Sequence, residues 1–386
     1  MSTLLGIDLA DWTARGGAWT AREIAQQPAV WRATGELLAG APARATAAWL
    51  EALLARRDLR IVLTGAGTSA FIGECLAPVL ARRTQRRVEA IPTTDLVAGP
   101  QAWFQRDVPT LLVSFARSGS SPESAAAVAL ADRFVDDCHH LVLTCNAAGE
   151  LCARGQAHPR CRVLVLPEAS HDRGFAMTSS FTSLLLAAAG LFGVAATAPD
   201  ALARTGAAAQ DALARGLALA HALVAQRFER VIYLGSNVFK GLAREGALKL
   251  LELTDGAVVG SFDTPLGFRH GPKTIVDART LVVLFVSNDP HARLYDLDLL
   301  RELRADGRAA RVLAIAARPD GLAPDDLVVA GMADAADLDC ALPFAAFFQL
   351  FALLQSMASG LTPDNPSVSG TVTRVVHGVT IHPCVD

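Results

Sequence analysis

Residues 110–124 read TLLVSFARSGSSPES. An apolar run without polar alternation is the pattern of a strand covered on both faces of a parallel sheet. It passes directly into Arg117, Ser118, Gly119 and Ser120, and then into Ser121-Pro122-Glu123, a helix-start signal. Similar runs recur at RIVLTG (60–65), RRVEAIP (86–92), HLVLTC (140–145) and RVLVLP (162–167), with helical patterns near 69–82 and 121–137. Strand–helix alternation at this spacing predicts an α/β chain with doubly wound, mainly parallel sheets flanked by helices.

Residues 20–56 carry apolar positions at helical spacing and predict two helices ahead of the first strand. After a long Ala/Leu-rich helical region at about 176–226 the pattern begins again. Strands are expected at RVIYLG (230–235), TLVVLFVS (280–287) and ARVLAIAA (310–317), with helices near 238–254, 292–305 and 341–358. The first strand of each half ends in a matching corner, VLTGAGTSAFIGE (62–74) and IYLGSNVFKGLARE (232–245). This reads as an internal duplication of one α/β module, offset by about 170 residues.

Of the 386 residues, 52% are hydrophobic and 19% charged, enough for a large core and against disorder. A net charge of −3 gives no basic face for nucleic acid. The start, MSTLLGIDLADW, lacks the basic and apolar regions of a secretory signal. The most apolar stretches, such as 181–196, are expected to be too short or too interrupted to span a bilayer. Seven scattered cysteines without a CxxC pair suggest a reducing cytoplasm. His139 and His140 follow Cys138, but adjacent histidines on one element diverge, so no metal site is expected there.

Three stretches carry chemistry. GAGTS (65–69) and ARSGSSPES (116–124) lie where parallel strands give way to helices, the position at which such sheets bind ligands and helix amides attract anions. Thr68, Ser69, Ser118, Ser120 and Ser121 supply hydroxyls, and Arg117 supplies charge. Ser121 as a plain N-cap explains one of these residues and leaves Ser69, Ser118 and Ser120 unexplained; phosphate binding explains them together. Neither GxxxxGK[ST] nor GxGxxG occurs, which argues against a nucleotide. In REGALKLLELTDG (244–256), Glu245, Lys249 and Glu252 fall within roughly 60° on a helix, flanked by leucines. They form either a surface ion pair or a cleft-facing set that holds a general base. In GFRHGPKTIVD (267–277), His270 sits in a loop fixed by Gly271 and Pro272, and is as readily structural as functional. No GxSxG elbow supports a serine hydrolase.

In this order, GAGTS, RSGSSPES, REGALKLLEL and RHGPK resemble the sugar isomerase (SIS) family of phosphosugar-binding domains. The chain is similar to the double-SIS isomerase half of glucosamine-6-phosphate synthase. TAREIAQQP (20–28), FRHGPK (268–273) and the tail NPSVSGTVTRVVHGVTIHP (365–383) make it more similar to the AgaS proteins of galactosamine catabolism. The resemblance implies an N-terminal helical segment at 1–50, a first SIS domain with the phosphosugar site at 51–200, and a second at 205–386 with the tail. It implies that Ser69, Ser118 and Ser121 bind phosphate, with Thr68 near the sugar. Arg117 stands in place of a family glutamine, and Ala116 in place of a serine for which Ser120 compensates. Glu252 matches the carboxylate that moves a proton between C1 and C2, and Glu245 and Lys249 match its supporters. His270 matches the ring-opening histidine, which relatives contribute across a homodimer.

The resemblance further implies deaminating isomerisation of galactosamine 6-phosphate to tagatose 6-phosphate and ammonia, with no metal or organic cofactor. The synthase's tail lysine has no counterpart near Ser367–Gly370, and no glutaminase domain precedes the first module, so release of ammonia is expected rather than its incorporation. The alternatives are plain aldose–ketose isomerisation of a 6-phosphosugar and non-catalytic sensing of a sugar phosphate. The second module has SNDP (287–290) where the serine loop would repeat, so one ligand site per chain is expected, in the first module, with Glu252 supplied by the second.

Overall fold

The long apolar runs become sheet strands in the computed structural model, which describes residues 3–376 and 378–384. A small antiparallel pair, β1 (Thr3–Leu4) and β2 (Ile7–Asp8), opens the chain. Helix α1 (Leu9–Ala14) follows, with the Asp8 carboxylate accepting from the Ala10 amide at its start. Then come α2 (Ala18–Ala39) and α3 (Ala41–Leu54), the two helices read from 20–56.

The first sheet contains β3 (Arg60–Thr64), β4 (Arg87–Ala90), β5 (Thr110–Ala116), β6 (Cys138–Thr144) and β7 (Cys161–Val165). Its order is β4-β3-β5-β6-β7 and every pairing is parallel. The crossovers carry α4 (Thr68–Thr84), α5 (Thr93–Ala98), α6 (Pro100–Trp103), α7 (Pro122–Phe134) and α8 (Glu150–Ala157). The helical region at 176–226 holds two helices: α9 (Ser179–Leu191) and α10 (Pro199–Ala225) are separated at Gly193, whose φ is 64°, and by Pro199.

The second sheet contains β8 (Arg230–Gly235), β9 (Val259–Asp263), β10 (Thr280–Val286), β11 (Arg311–Ala316) and β12 (Leu327–Val328). The sequence reading missed β9 and β12. VGSFD offers no apolar run because β9 is a sheet edge, and β12 is only two residues long. Around this sheet run α11 (Val238–Leu253), α12 (Pro265–Phe268), α13 (Pro290–Asp306) and α14 (Asp337–Ala358). Its order, β9-β8-β10-β11-β12, repeats the first sheet's order strand for strand.

The chain forms two compact units, each built on one sheet. One comprises Val30–His171, Ser179–Thr197 and Val372–Asp386; the other comprises Met1–Ala29, Asp172–Thr178 and Ala198–Thr371. In the first, Val62, Leu112, Ala127 and Ala131 pack with Leu96 and Phe104. In the second, Ile232, Leu234, Val282 and Leu284 pack with Leu299 and Leu300 of α13. All seven cysteines are free, and six are buried as small core residues.

The duplication extends to backbone geometry. Gly67 (φ 54°, ψ −129°) precedes α4, and Asn237 (φ 51°, ψ −115°) precedes α11 in nearly the same conformation. Two residues earlier, Gly65 and Gly235 make the closest approach. A Cβ on Gly65 would lie 2.5 Å from the Ser69 Cβ, and one on Gly235 would collide with the Phe239 carbonyl.

One expectation is corrected. By length and composition α14 could cross a membrane, whereas the sequence reading expected no such stretch. Its residues from Cys340 to Ser356 are buried among neighbouring elements, so its all-round apolar surface belongs to a core helix. Phe344 and Phe348 pack against Phe285 of β10, with ring centroids 6.1 and 6.2 Å apart.

Gly235→Ala should therefore lower unfolding stability by about 2 kcal/mol or more, because the contacted atom is backbone and cannot swing aside. Urea unfolding measures the change.

Candidate active site

Because β3 and β5 are adjacent, with Thr64 opposite Ser114, the loops that follow them emerge side by side. The serine loop is braced from one side. The Ser118 carbonyl accepts from the Asn146 side chain (2.8 Å), and the Gly119 carbonyl accepts from the Leu151 amide (2.8 Å). A trans peptide points its C=O and the following N–H in opposite directions. The Gly119 and Ser120 amides are thus turned away from the brace. Gly119, at φ 65°, permits the left-handed turn that makes such amides an anion-binding nest.

Ser121 occupies the N-cap position of α7 yet makes no side-chain cap bond; its hydroxyl meets the Ser124 hydroxyl at 2.6 Å. The plain helix-cap reading therefore fails. Ser118 Oγ approaches the Ser120 amide at 3.4 Å. Thr68 and Ser69, in the first turn of α4, are buried, and among the described residues Thr68 Oγ1 has no hydrogen-bond partner. Arg117 is buried and donates to the Arg374 carbonyl of the tail at 2.5 Å, so part of its donor capacity holds the chain's own backbone. Asn146 was missed from sequence; its signal is its place just beyond the next strand of the same sheet.

The matching corner of the second unit is filled. Phe239 stands where Ser69 stands in the first, buried against Phe285 and Phe344. Asp296 accepts from Ser236 Oγ (2.6 Å) and from the Ser287 amide (2.9 Å). Asp337 accepts from the Asn288 amide (2.7 Å) and from the Ser287 hydroxyl. Asp289 caps α13 through the His291 and Ala292 amides, each at 3.0 Å. The donors that an anion would need are bonded to the protein's own carboxylates.

On α11 the charged stripe is not a solvated face. Glu245 and Lys249 are both 0% exposed, whereas Glu252 keeps a quarter of its side-chain surface. Lys249 Nζ lies 3.5 Å from Glu245 and donates to the Glu252 carboxylate. One buried ammonium thus fixes the only accessible carboxylate of the trio. Glu252 has the placement of a general base: oriented by a charge partner, flanked by Leu248 and Leu251, and open to a ligand.

His270 stands outside this trio. It is exposed, its amide bonds to the Gly267 carbonyl (2.9 Å), and among the described residues its ring makes no hydrogen bond or ion pair. The loop around it is held firmly. Arg269 pairs with Glu302 (2.7 Å), while Lys273 pairs with Glu302 and with Asp306 (2.5 Å) on α13.

The SIS domain family model matches residues 53–192, the segment that contains the serine corner. That match defines the class of protein. Over 368 residues the chain is 50% identical to the AgaS protein of Streptomyces coelicolor, covering 94% of this chain and 95% of the relative. It is 45% identical over 379 residues to the D-galactosamine-6-phosphate deaminase AgaS of Escherichia coli, covering 96% and 97%. The crystal structure of the tagatose-6-phosphate ketose/aldose isomerase of Escherichia coli superposes with a TM-score of 0.88 at 43% identity, covering 95% of this chain and 97% of that one. The chain belongs to the AgaS family of SIS-domain enzymes.

Lys249→Met should lower stability, because it removes the buried ammonium that lies against both the Glu245 and the Glu252 carboxylates; denaturant unfolding reads the loss. A pH signature should come from the second corner. Burial raises the Asp296 carboxyl from 3.8 to about 6, and Asp337 opposes its ionisation, against partial relief from its Ser236 and Ser287 bonds. The folded protein then holds a proton that the unfolded chain has already released, so stability falls as pH rises from 3.8 to about 6. Asp296→Asn keeps an acceptor for the Ser287 amide and should flatten melting temperature against pH across that window.

Proposed function

We propose that this enzyme converts galactosamine 6-phosphate to tagatose 6-phosphate and ammonia. The observation that carries the reading is the Glu245–Lys249–Glu252 trio, in which a single accessible carboxylate is held by a buried ammonium. The naming of a 45% identical relative for this deamination supports it. Ser69, Ser118 and Ser121 grip the phosphate, with Ser120 in support and Thr68 toward the sugar. Arg117 lends charge while it also holds the tail.

His270 assists ring opening to the free aldehyde. The C1 carbonyl acidifies the C2 hydrogen, and Glu252 removes that proton to give an enolamine. Return of the proton to C1 leaves a C2 imine, and water then releases ammonia and the ketose phosphate. No metal or organic cofactor enters these steps. Plain aldose–ketose isomerisation is the second reading, favoured by the name of the superposed Escherichia coli structure.

Purified enzyme should release ammonia from galactosamine 6-phosphate in step with ketose formation. Interconversion of tagatose 6-phosphate with its aldose, and no ammonia, would favour the second reading. Glu252→Gln should lower kcat by roughly 10²–10⁴-fold while ligand binding persists. An unchanged rate would remove Glu252 from the base role, and sugar-phosphate binding without turnover in the parent would indicate a sensor.

We further propose that the enzyme works as a homodimer in the cytoplasm, with His270 acting on the partner's substrate. The free ring of His270 supports this, as do three exposed apolar side chains on the same unit: Val259 on the edge strand, and Leu266 and Ile275 in the His270 loop. Six buried free cysteines suit a reducing compartment. Mixing inactive Glu252→Gln and His270→Ala subunits should restore part of the activity, since one site of each mixed dimer regains both groups. If mixing restores nothing although mixed dimers form, His270 acts within its own chain.

A further inference from the structure

Three buried hydroxyls at the first corner have no hydrogen-bond partner among the described residues: those of Thr64, Thr68 and Thr93. The proposed function gives Thr68 to the sugar, whereas Thr93 has no part in it. Thr93 follows β4, the strand beside the one that ends in the glycine corner. The parallel ladder between β3 and β4 continues past Ala90, the last residue of β4. The Ile91 amide donates to the Leu63 carbonyl (3.0 Å), and the Thr93 amide donates to the Gly65 carbonyl (2.8 Å). Thr93 is thereby fixed alongside Gly65, at the start of GAGTS.

Ile91 and Val62 pack together with Leu96 of α5. Thr64 is two residues beyond Val62 on β3 and so faces the same side of the sheet, toward the helix that Thr93 begins. Elsewhere helical threonines return the hydroxyl to the carbonyl one turn back, as Thr34 does to Val30 (2.8 Å) and Thr84 to Leu80 (2.7 Å). Thr68 and Thr93 are the first residues of α4 and α5, where no helical carbonyl lies one turn back. Thr93 is 2% exposed, so bulk water does not serve its hydroxyl either. A valine would have the same shape without an unsatisfied hydroxyl, which is costly to bury. Packing therefore explains the methyl of Thr93 and leaves its hydroxyl unexplained.

We propose, on the reading of this corner as the sugar-phosphate site, that the Thr93 hydroxyl binds a hydroxyl of the sugar. In open α/β sheets the ligand lies outside the carboxyl ends of the strands. Dinucleotide-binding sheets split the contacts there: the glycine corner takes phosphate, and a side chain further along the chain takes a ribose hydroxyl. Thr93 holds the comparable position here, with its backbone tied to Gly65. A threonine hydroxyl donates and accepts together, which suits a sugar hydroxyl, and it brings no charge to a phosphate. Thr93 thus adds a sugar contact beside Thr68 and takes no part in proton transfer.

Thr93→Val removes the hydroxyl and keeps the shape, whereas Thr93→Ser keeps the hydroxyl. In the full-length enzyme Thr93→Val should lower kcat/KM for galactosamine 6-phosphate about tenfold or more, the loss expected when a hydrogen bond to substrate is deleted. Thr93→Ser should retain most of the parent value. Without ligand, Thr93→Val should melt no lower than the parent, and inorganic phosphate should raise the melting temperature of both equally. An unchanged kcat/KM in Thr93→Val overturns the Thr93 contact and leaves the corner's role intact. Equal losses in both variants assign the effect to shape and overturn the contact, as does loss of phosphate protection in Thr93→Val. A parent that converts only tagatose 6-phosphate refutes the deamination and not the contact, which is then read from the same variants on that substrate. A parent whose melting temperature neither sugar phosphate raises overturns the reading of the corner, and this contact with it.

Discussion

Both units depend on a corner where a buried parallel strand turns into a helix with no room for a side chain. At Gly65 the next helical turn sits close enough for a Cβ to fall 2.5 Å from Ser69, and Gly235 is crowded in the same way by Phe239. The positive φ at Gly67 and at Asn237 completes the turn. This constraint sets where α4 and α11 begin. The first turn of α4 carries Thr68 and Ser69, and two and more turns along α11 come Glu245, Lys249 and Glu252.

From one corner geometry the two modules have taken opposite electrostatic courses. In the first, carbonyls are bonded backward to Asn146 and Leu151, and amides and hydroxyls are left on the other side. In the second, Asp296 and Asp337 are bonded to the equivalent strand-end donors, and phenyl rings fill the space beside them. A buried carboxylate satisfied by backbone amides resembles a bound anion in its bonding, and it removes the need for one. The same module keeps Glu252 partly exposed, with Lys249 buried beside it.

Much of this was legible in the chain. Short Val/Ile/Leu runs bounded by glycine and small polar residues fit strands buried on both faces, and the glycines mark the corners, so two parallel α/β modules followed. The weak strands β9 and β12 escaped because an edge strand needs neither a long run nor apolar residues on both faces. For α14, hydropathy alone cannot tell a core helix from a spanning one; burial by neighbouring elements does.

The sequence by itself determined the modules, their order and the residue types at each strand end, because periodicity and glycine placement are local properties. Only the tertiary structure decided which of those groups are engaged. It showed that Ser121 does not cap its helix and that Lys249 is wholly buried. It also turned Arg117 toward the tail and brought His158 to His140. These outcomes depend on side chains meeting from distant points in the chain, where desolvation and hydrogen-bond geometry choose partners that spacing cannot name.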